Sequence, residues 1–142
     1  MKLLKPENVQ ILHGAADWKD AIRRSTSLLE EHGDVEPCYK EEIIGNVERL
    51  GPYILIAEDI ALPHARPEQG VIHPQIGVTL FRNPVCFSNG ATAKLFVTLA
   101  AKDNESHVDA LAAISELLGE EENVEKIITA PDVETLYSYF SA

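Results

Sequence analysis

The spacing of apolar residues changes period twice along the chain. Behind Asp17, a residue suited to cap a helix, Trp18, Ala21, Ile22, Ser25, Leu28 and Leu29 recur at helical intervals, and Gly33 stands where that helix would end. Tyr39, Ile43, Val47 and Leu50 form a second helical stripe. It starts at Pro37, whose fixed φ suits a first helical position, and stops at Gly51-Pro52. The pattern then shortens. Residues 53–57 make a continuous apolar run expected as a buried strand, and Ile60-Ala61-Leu62 a second extended piece. Residues 76–81 and 94–100 read as longer strands, with Asn83-Pro84 and Ser88-Asn89-Gly90 as punctuation. Helical spacing returns at Val108, Leu111, Ile114, Leu117 and Leu118, behind Ser106 as a cap with Asp109 in the third helical position. Residues 121–129 and 132–140 read as two further helices.

Helices, then strands, then helices predict an α/β fold: one domain over residues 1–142, with a mixed β-sheet flanked by helices on both faces. Long gaps between some strands allow parallel pairs, while the short gap at Asn83-Pro84 points to an antiparallel one. A chain of 142 residues with 45% apolar and 25% charged residues supports such a core without staples.

Charge and cysteines narrow the function. Twelve basic residues against 23 acidic ones leave a net charge of -11, which repels nucleic acid and anionic lipid and suits a partner with a basic docking face. The same acidity would also serve solubility alone. No apolar run reaches the roughly 18 residues of a membrane span, and residues 1–7 carry charge too early for a signal peptide, so a cytoplasmic location is expected. Cys38 and Cys86 form neither a CxxC pair nor a zinc pattern, and are expected as buried, reduced thiols.

Candidate chemistry concentrates between Ile60 and Glu68. Pro63 has no amide to give a sheet ladder and marks a strand end, which places His64 at the edge of the core. Ala65 leaves room beside the imidazole, Arg66 supplies a forked cation, and Pro63 and Pro67 stiffen the loop. Neutral histidine is a nucleophile near neutral pH, and phosphoryl transfer asks mainly for in-line positioning and charge stabilisation. From these residues alone, a phosphoryl acceptor and an ordinary loop histidine both stay open. His107, in the first turn of the helix capped by Ser106, shares a face with Leu111, Ile114 and Leu118 and is expected to point inward. There it would either stabilise a phosphoryl group on His64, fix the ring of His64, or satisfy a backbone carbonyl. A metal-dependent hydrolase built on His64, His73 and His107 with Asp59 or Asp103 has no supporting ligand spacing.

The run Glu58-Asp59-Ile60-Ala61-Leu62-Pro63-His64-Ala65 and the second segment, 100–107, resemble the type-2 (mannitol–fructose class) enzyme IIA domains of the bacterial sugar phosphotransferase system. Leu50-Gly51-Pro52-Tyr53 and residues 62–71 look most like the ascorbate-type branch. The resemblance implies a phosphotransferase component. In it, His64 accepts a phosphoryl group on Nε2 (a tele-phosphohistidine) from the carrier protein HPr and passes it to enzyme IIB, normally on a cysteine. A membrane subunit IIC then couples the transfer to sugar entry. His107 would stabilise the phosphoryl group or orient the ring. No cofactor and no metal are implied. A regulatory phosphoacceptor is an alternative within the same fold, the sugar is at most a lean toward ascorbate or a polyol or pentose, and the oligomeric state is open, a homodimer included. Mannitol-type members carry an active-site arginine on the preceding helix. Without gaps that place falls at Glu48, with Arg49 beside it and Asn46 a half-turn earlier. Asn46, Arg49, Arg66 and Ser106 are therefore the candidates for binding the phosphoryl group, Arg66 on its position beside His64 and not on the family pattern.

Overall fold

A computed structural model describes residues 4–141, with the side chains of Asn104 and Ser106 outside the described set. Five strands, β1 (Leu4–Leu12), β2 (Leu55–Ala57), β3 (Asp59–Ala61), β4 (Gln75–Cys86) and β5 (Thr92–Ala100), form one sheet in the order β1-β4-β5-β3-β2. The pairs β1–β4 and β3–β5 are parallel, and β4–β5 and β2–β3 antiparallel, so the sheet is mixed as expected. Helices α1 (Trp18–Glu31) and α2 (Cys38–Leu50) cover one face, and α3 (Asn104–Leu118), α4 (Glu121–Ile128) and α5 (Val133–Ser141) the other.

Strand alternation feeds both layers. On β5, Leu95, Val97 and Leu99 join the core under α3–α5, while Phe96 and Ala100 join the core under α1 and α2. α1 begins where its cap predicts: the Asp17 carboxylate accepts from Asp20 N–H at 2.8 Å. It ends on Gly33, whose φ of 76° is costly for a residue with a Cβ.

Three expectations are corrected, and one strand was not expected at all. β1 is a nine-residue strand that the apolar pattern does not announce, because Lys5, Pro6, Glu7 and Asn8 interrupt it. It is an edge strand, where a proline is tolerated. Residues 53–57 are not a buried strand: only Leu55–Ala57 pair, on the opposite edge, and Ile56 is exposed. Asn83-Pro84 lies inside β4, at a register shift between Leu80 and Val85, and the hairpin turn sits at the other expected break, Ser88-Asn89-Gly90. Cys38 and Cys86 are free thiols but exposed. Cys86 falls on the outward side of the alternation between buried Val85 and Phe87.

Candidate active site

His64 sits where β3 leaves the sheet. Leu62 N–H donates to Ile54 O at 2.7 Å and Leu99 N–H to Pro63 O at 3.0 Å, so the chain is held on both sides up to the residue before the histidine. The imidazole Nδ1 lies 2.7 Å from Leu62 O. A carbonyl only accepts, so Nδ1 carries the proton and Nε2 keeps a free lone pair. The ring is half-buried, and burial holds its pKa below the ordinary 6.5; the Leu62 hydrogen bond opposes this, and the neighbouring His107 adds to it.

Two tyrosines frame this loop. The Tyr53 ring stands edge-on to the His64 ring at 5.1 Å between centroids, and its hydroxyl donates to the His64 carbonyl. Tyr39, fully buried on α2, donates its hydroxyl proton to Leu99 O at 2.8 Å and accepts from Ala65 N–H at 3.0 Å. Burial pushes the Tyr39 phenol up to about 12, so it remains protonated. After His64 the loop is pinned to α2 by Gln69. Its Oε1 accepts from Arg66 N–H at 3.0 Å and from Asn46 Nδ2 at 3.2 Å, and its Nε2 donates to Glu42 at 2.9 Å. Gly70, at φ 134°, lets the loop lie on α2; a Cβ there would meet that of Tyr39 at 3.2 Å.

The two histidines predicted from sequence come together. Their ring centroids are 5.7 Å apart, and both line an open cavity of about 310 Å³ with Asn46, Tyr53, Arg66 and Asp103. Arg66 is exposed at the cavity. Arg49 lies outside the lining but donates to Asn46 Oδ1, while Glu48 turns away to Lys19 at 3.2 Å. The cap position needs correction. α3 starts at Asn104, two residues before Ser106, and His107 N–H already bonds Asp103 O at 3.1 Å. Ser106 is thus in the first turn, and the phosphoryl-binding role expected of its side chain lies outside the described residues. The hydrolase constellation is not assembled: His73 faces Asp34 at 3.7 Å and Asp59 accepts from Thr92 at 3.4 Å.

Tyr39, Tyr53 and Gln69 are the site residues that sequence reasoning missed. Tyr39 carried a usable signal, since a tyrosine in an otherwise aliphatic stripe needs a partner for its hydroxyl.

An α/β protein whose mixed sheet presents two histidines to one open cavity is a recognisable class, and comparison with known proteins identifies it. Residues 2–142 match the family described as phosphoenolpyruvate-dependent sugar phosphotransferase system, EIIA 2. The chain is 36% identical over 138 residues to the mannitol-specific cryptic phosphotransferase enzyme IIA component of Escherichia coli (strain K12), covering 96% of this chain and 94% of that one. The solution structure of that Escherichia coli component superposes with a TM-score of 0.92 at 34% identity, over 99% and 96% of the two chains. The ascorbate-specific EIIA component of the same strain is 30% identical over 128 residues, 88% of this chain and 83% of its own. The Escherichia coli mannitol enzyme IIA, solved in complex with phosphorylated enzyme IIB, has a TM-score of 0.84 at 25% identity over 98% and 99% of the chains. The chain belongs to the type-2 enzyme IIA family of the sugar phosphotransferase system, and is a phosphotransferase component of that system. No described helix is long and apolar enough to cross a membrane.

Proposed function

We propose that the protein is a cytoplasmic phosphocarrier that takes a phosphoryl group from phospho-HPr onto Nε2 of His64 and hands it to an enzyme IIB. The observation that carries this reading is the Nδ1 to Leu62 O contact of 2.7 Å, which leaves Nε2 as the free nucleophile in an open cavity. In the first step the Nε2 lone pair attacks phosphorus, the Nε2–P bond forms, and the N–P bond of the donor's phosphohistidine breaks with its electron pair returning to that ring. In the second, a thiolate on IIB attacks the same phosphorus and the Nε2–P pair returns to His64. Throughout, Nδ1–H stays on Leu62 O, so the charge gained in the ring is met by a fixed acceptor. Arg66 approaches the phosphoryl oxygens as a guanidinium, His107 donates to them from the opposite wall, and Asn46, oriented by Arg49 and Gln69, adds an amide N–H. The relatives specific for mannitol and ascorbate support a polyol- or ascorbate-like sugar, delivered through a IIC subunit that this chain serves indirectly.

Incubation with enzyme I, HPr and phosphoenolpyruvate, followed by mass mapping of acid-labile phosphate, tests the reading. Wild-type protein is labelled on the peptide containing His64, and His64→Ala is not. His107→Ala still accepts the phosphoryl group but passes it to IIB about tenfold or more slowly, as expected for loss of one stabilising donor. Undiminished labelling of His64→Ala refutes the assignment.

A further inference from the structure

Parallel strands β3 and β5 pair Ile60 with Leu95 and Ala61 with Phe96. Carried forward, that register sets His64 opposite Leu99. A parallel ladder would then bind His64's neighbours to Leu99 by two rungs, Leu99 N–H to Pro63 O and Ala65 N–H to Leu99 O. The first rung is made, at 3.0 Å. The second is not direct, because the Tyr39 hydroxyl stands in it, accepting from Ala65 N–H at 3.0 Å and donating to Leu99 O at 2.8 Å. One oxygen thus extends a rung that would otherwise draw the two strands together at the residue bearing the imidazole. The oxygen comes from α2, which also carries Asn46, and the tyrosine that bears it is fully buried. What the hydroxyl adds is a fixed separation between the two segments that carry the paired histidines. Downstream of Leu99 the chain runs directly into α3 and His107.

We propose that Tyr39 is a positioning residue for phosphoryl transfer: its hydroxyl wedges open the β3–β5 ladder and sets the spacing of His64 and His107 across the cavity. The proposal rests on the reading of His64 as the phosphoryl acceptor. In Tyr39→Phe, Ala65 N–H and Leu99 O lose their shared partner and close toward a direct rung, carrying His64 with them.

Phosphoryl transfer from phosphorylated His64 to enzyme IIB is measured for Tyr39→Phe, His107→Ala and the double variant, with Ile43→Val as a core control on the same helix. Tyr39→Phe lowers kcat of this transfer about tenfold, the scale expected for a sub-ångström misplacement of reacting groups, and leaves KM for enzyme IIB unchanged. In the His107→Ala background the same substitution has little further effect, since the spacing it sets no longer matters. Ile43→Val transfers at the wild-type rate. Wild-type transfer by Tyr39→Phe, or an equal loss with and without His107, overturns the proposal. Hydrogen exchange on the unmodified protein supplies a readout that needs neither a variant nor a phosphoryl donor. The Ala65 amide exchanges slowly if the phenol holds it, and exchange as fast as an open loop also overturns the proposal. Wild-type protein that takes no phosphoryl group at all sinks the acceptor reading and the role in transfer with it, while Ala65 exchange still decides whether the hydroxyl holds the rung.

Discussion

The proposed chemistry rests on one ring whose proton is assigned by its surroundings. Because Leu62 O accepts from Nδ1 at 2.7 Å, the nucleophilic tautomer is built in before any partner arrives. Burial adds a second effect by disfavouring the charged imidazole, so the His64 pKa falls below 6.5. The sign follows directly. A free imidazole begins to protonate at a higher pH than this ring, so His64 remains a competent nucleophile further into acid. Phosphoryl acceptance therefore declines as pH falls with a midpoint under 6.5, which NMR titration of His64 reproduces. The unfolded chain takes up that proton first, so the His64 contribution lowers stability as pH falls below 6.5 and is constant above it. A midpoint for acceptance above 6.5 in the isolated chain contradicts the burial argument. At this scale the sequence was partly legible. His64, Arg66 and His107 belong to residue types that bear chemistry, and short flanking patterns placed them at element ends. Tyr39 and Tyr53 were not, because each acts through a hydroxyl on backbone groups 11 to 60 positions away, and no local spacing encodes such a contact.

Elements with strong local signals appear where the signals stand. The Asp17 cap, Gly33 at φ 76° and Gly51 at φ 83° bound α1 and α2 because cap chemistry and positive φ are decided by single residues. Asp17→Ala should cost about 1 kcal/mol by thermal or denaturant unfolding, with no change in phosphoryl acceptance, since α1 lies away from the cavity. A slowed transfer would mean that α1 takes part in the site. Elements held by distant partners were illegible. β1 is interrupted by Pro6 and by Asn8, and Asn8 is buried at a cost that only tertiary partners relieve: its amide donates to Gln75 at 3.4 Å and accepts from His32 at 2.7 Å. The run at 53–57 reads as a core strand by hydropathy, yet it forms an edge. Ile54 is inserted inward and Ile56 is left in solvent, a choice made by sheet order and not by local pattern.

For the molecule as a whole, two apolar layers hold a mixed sheet so that one end of the parallel β3–β5 pair opens to solvent. Beside that opening, Leu50 on the cavity wall and Val108 next to His107 are exposed at 70% and 60%, unusual for large apolar side chains and apt for a visiting protein surface. In the proposed relay a donor and an acceptor each reach the same Nε2, so HPr and IIB are expected to exclude one another. In a titration, saturating HPr should abolish IIB binding, and a ternary complex at His64 contradicts a shared face. With a net charge of -11, association with a partner that presents a basic docking face should weaken as salt rises, chiefly through slower encounter. The overall architecture was legible because the order of periods, helical then strand then helical, restricts the layers that can bury every apolar face.

The most direct test is NMR of ¹⁵N-histidine-labelled protein phosphorylated through HPr, with ³¹P detection. One phosphohistidine is expected, at His64, with phosphorus on Nε2 and a retained proton on Nδ1 hydrogen-bonded to Leu62. Phosphorus on Nδ1 of His64, or on His107, contradicts that assignment.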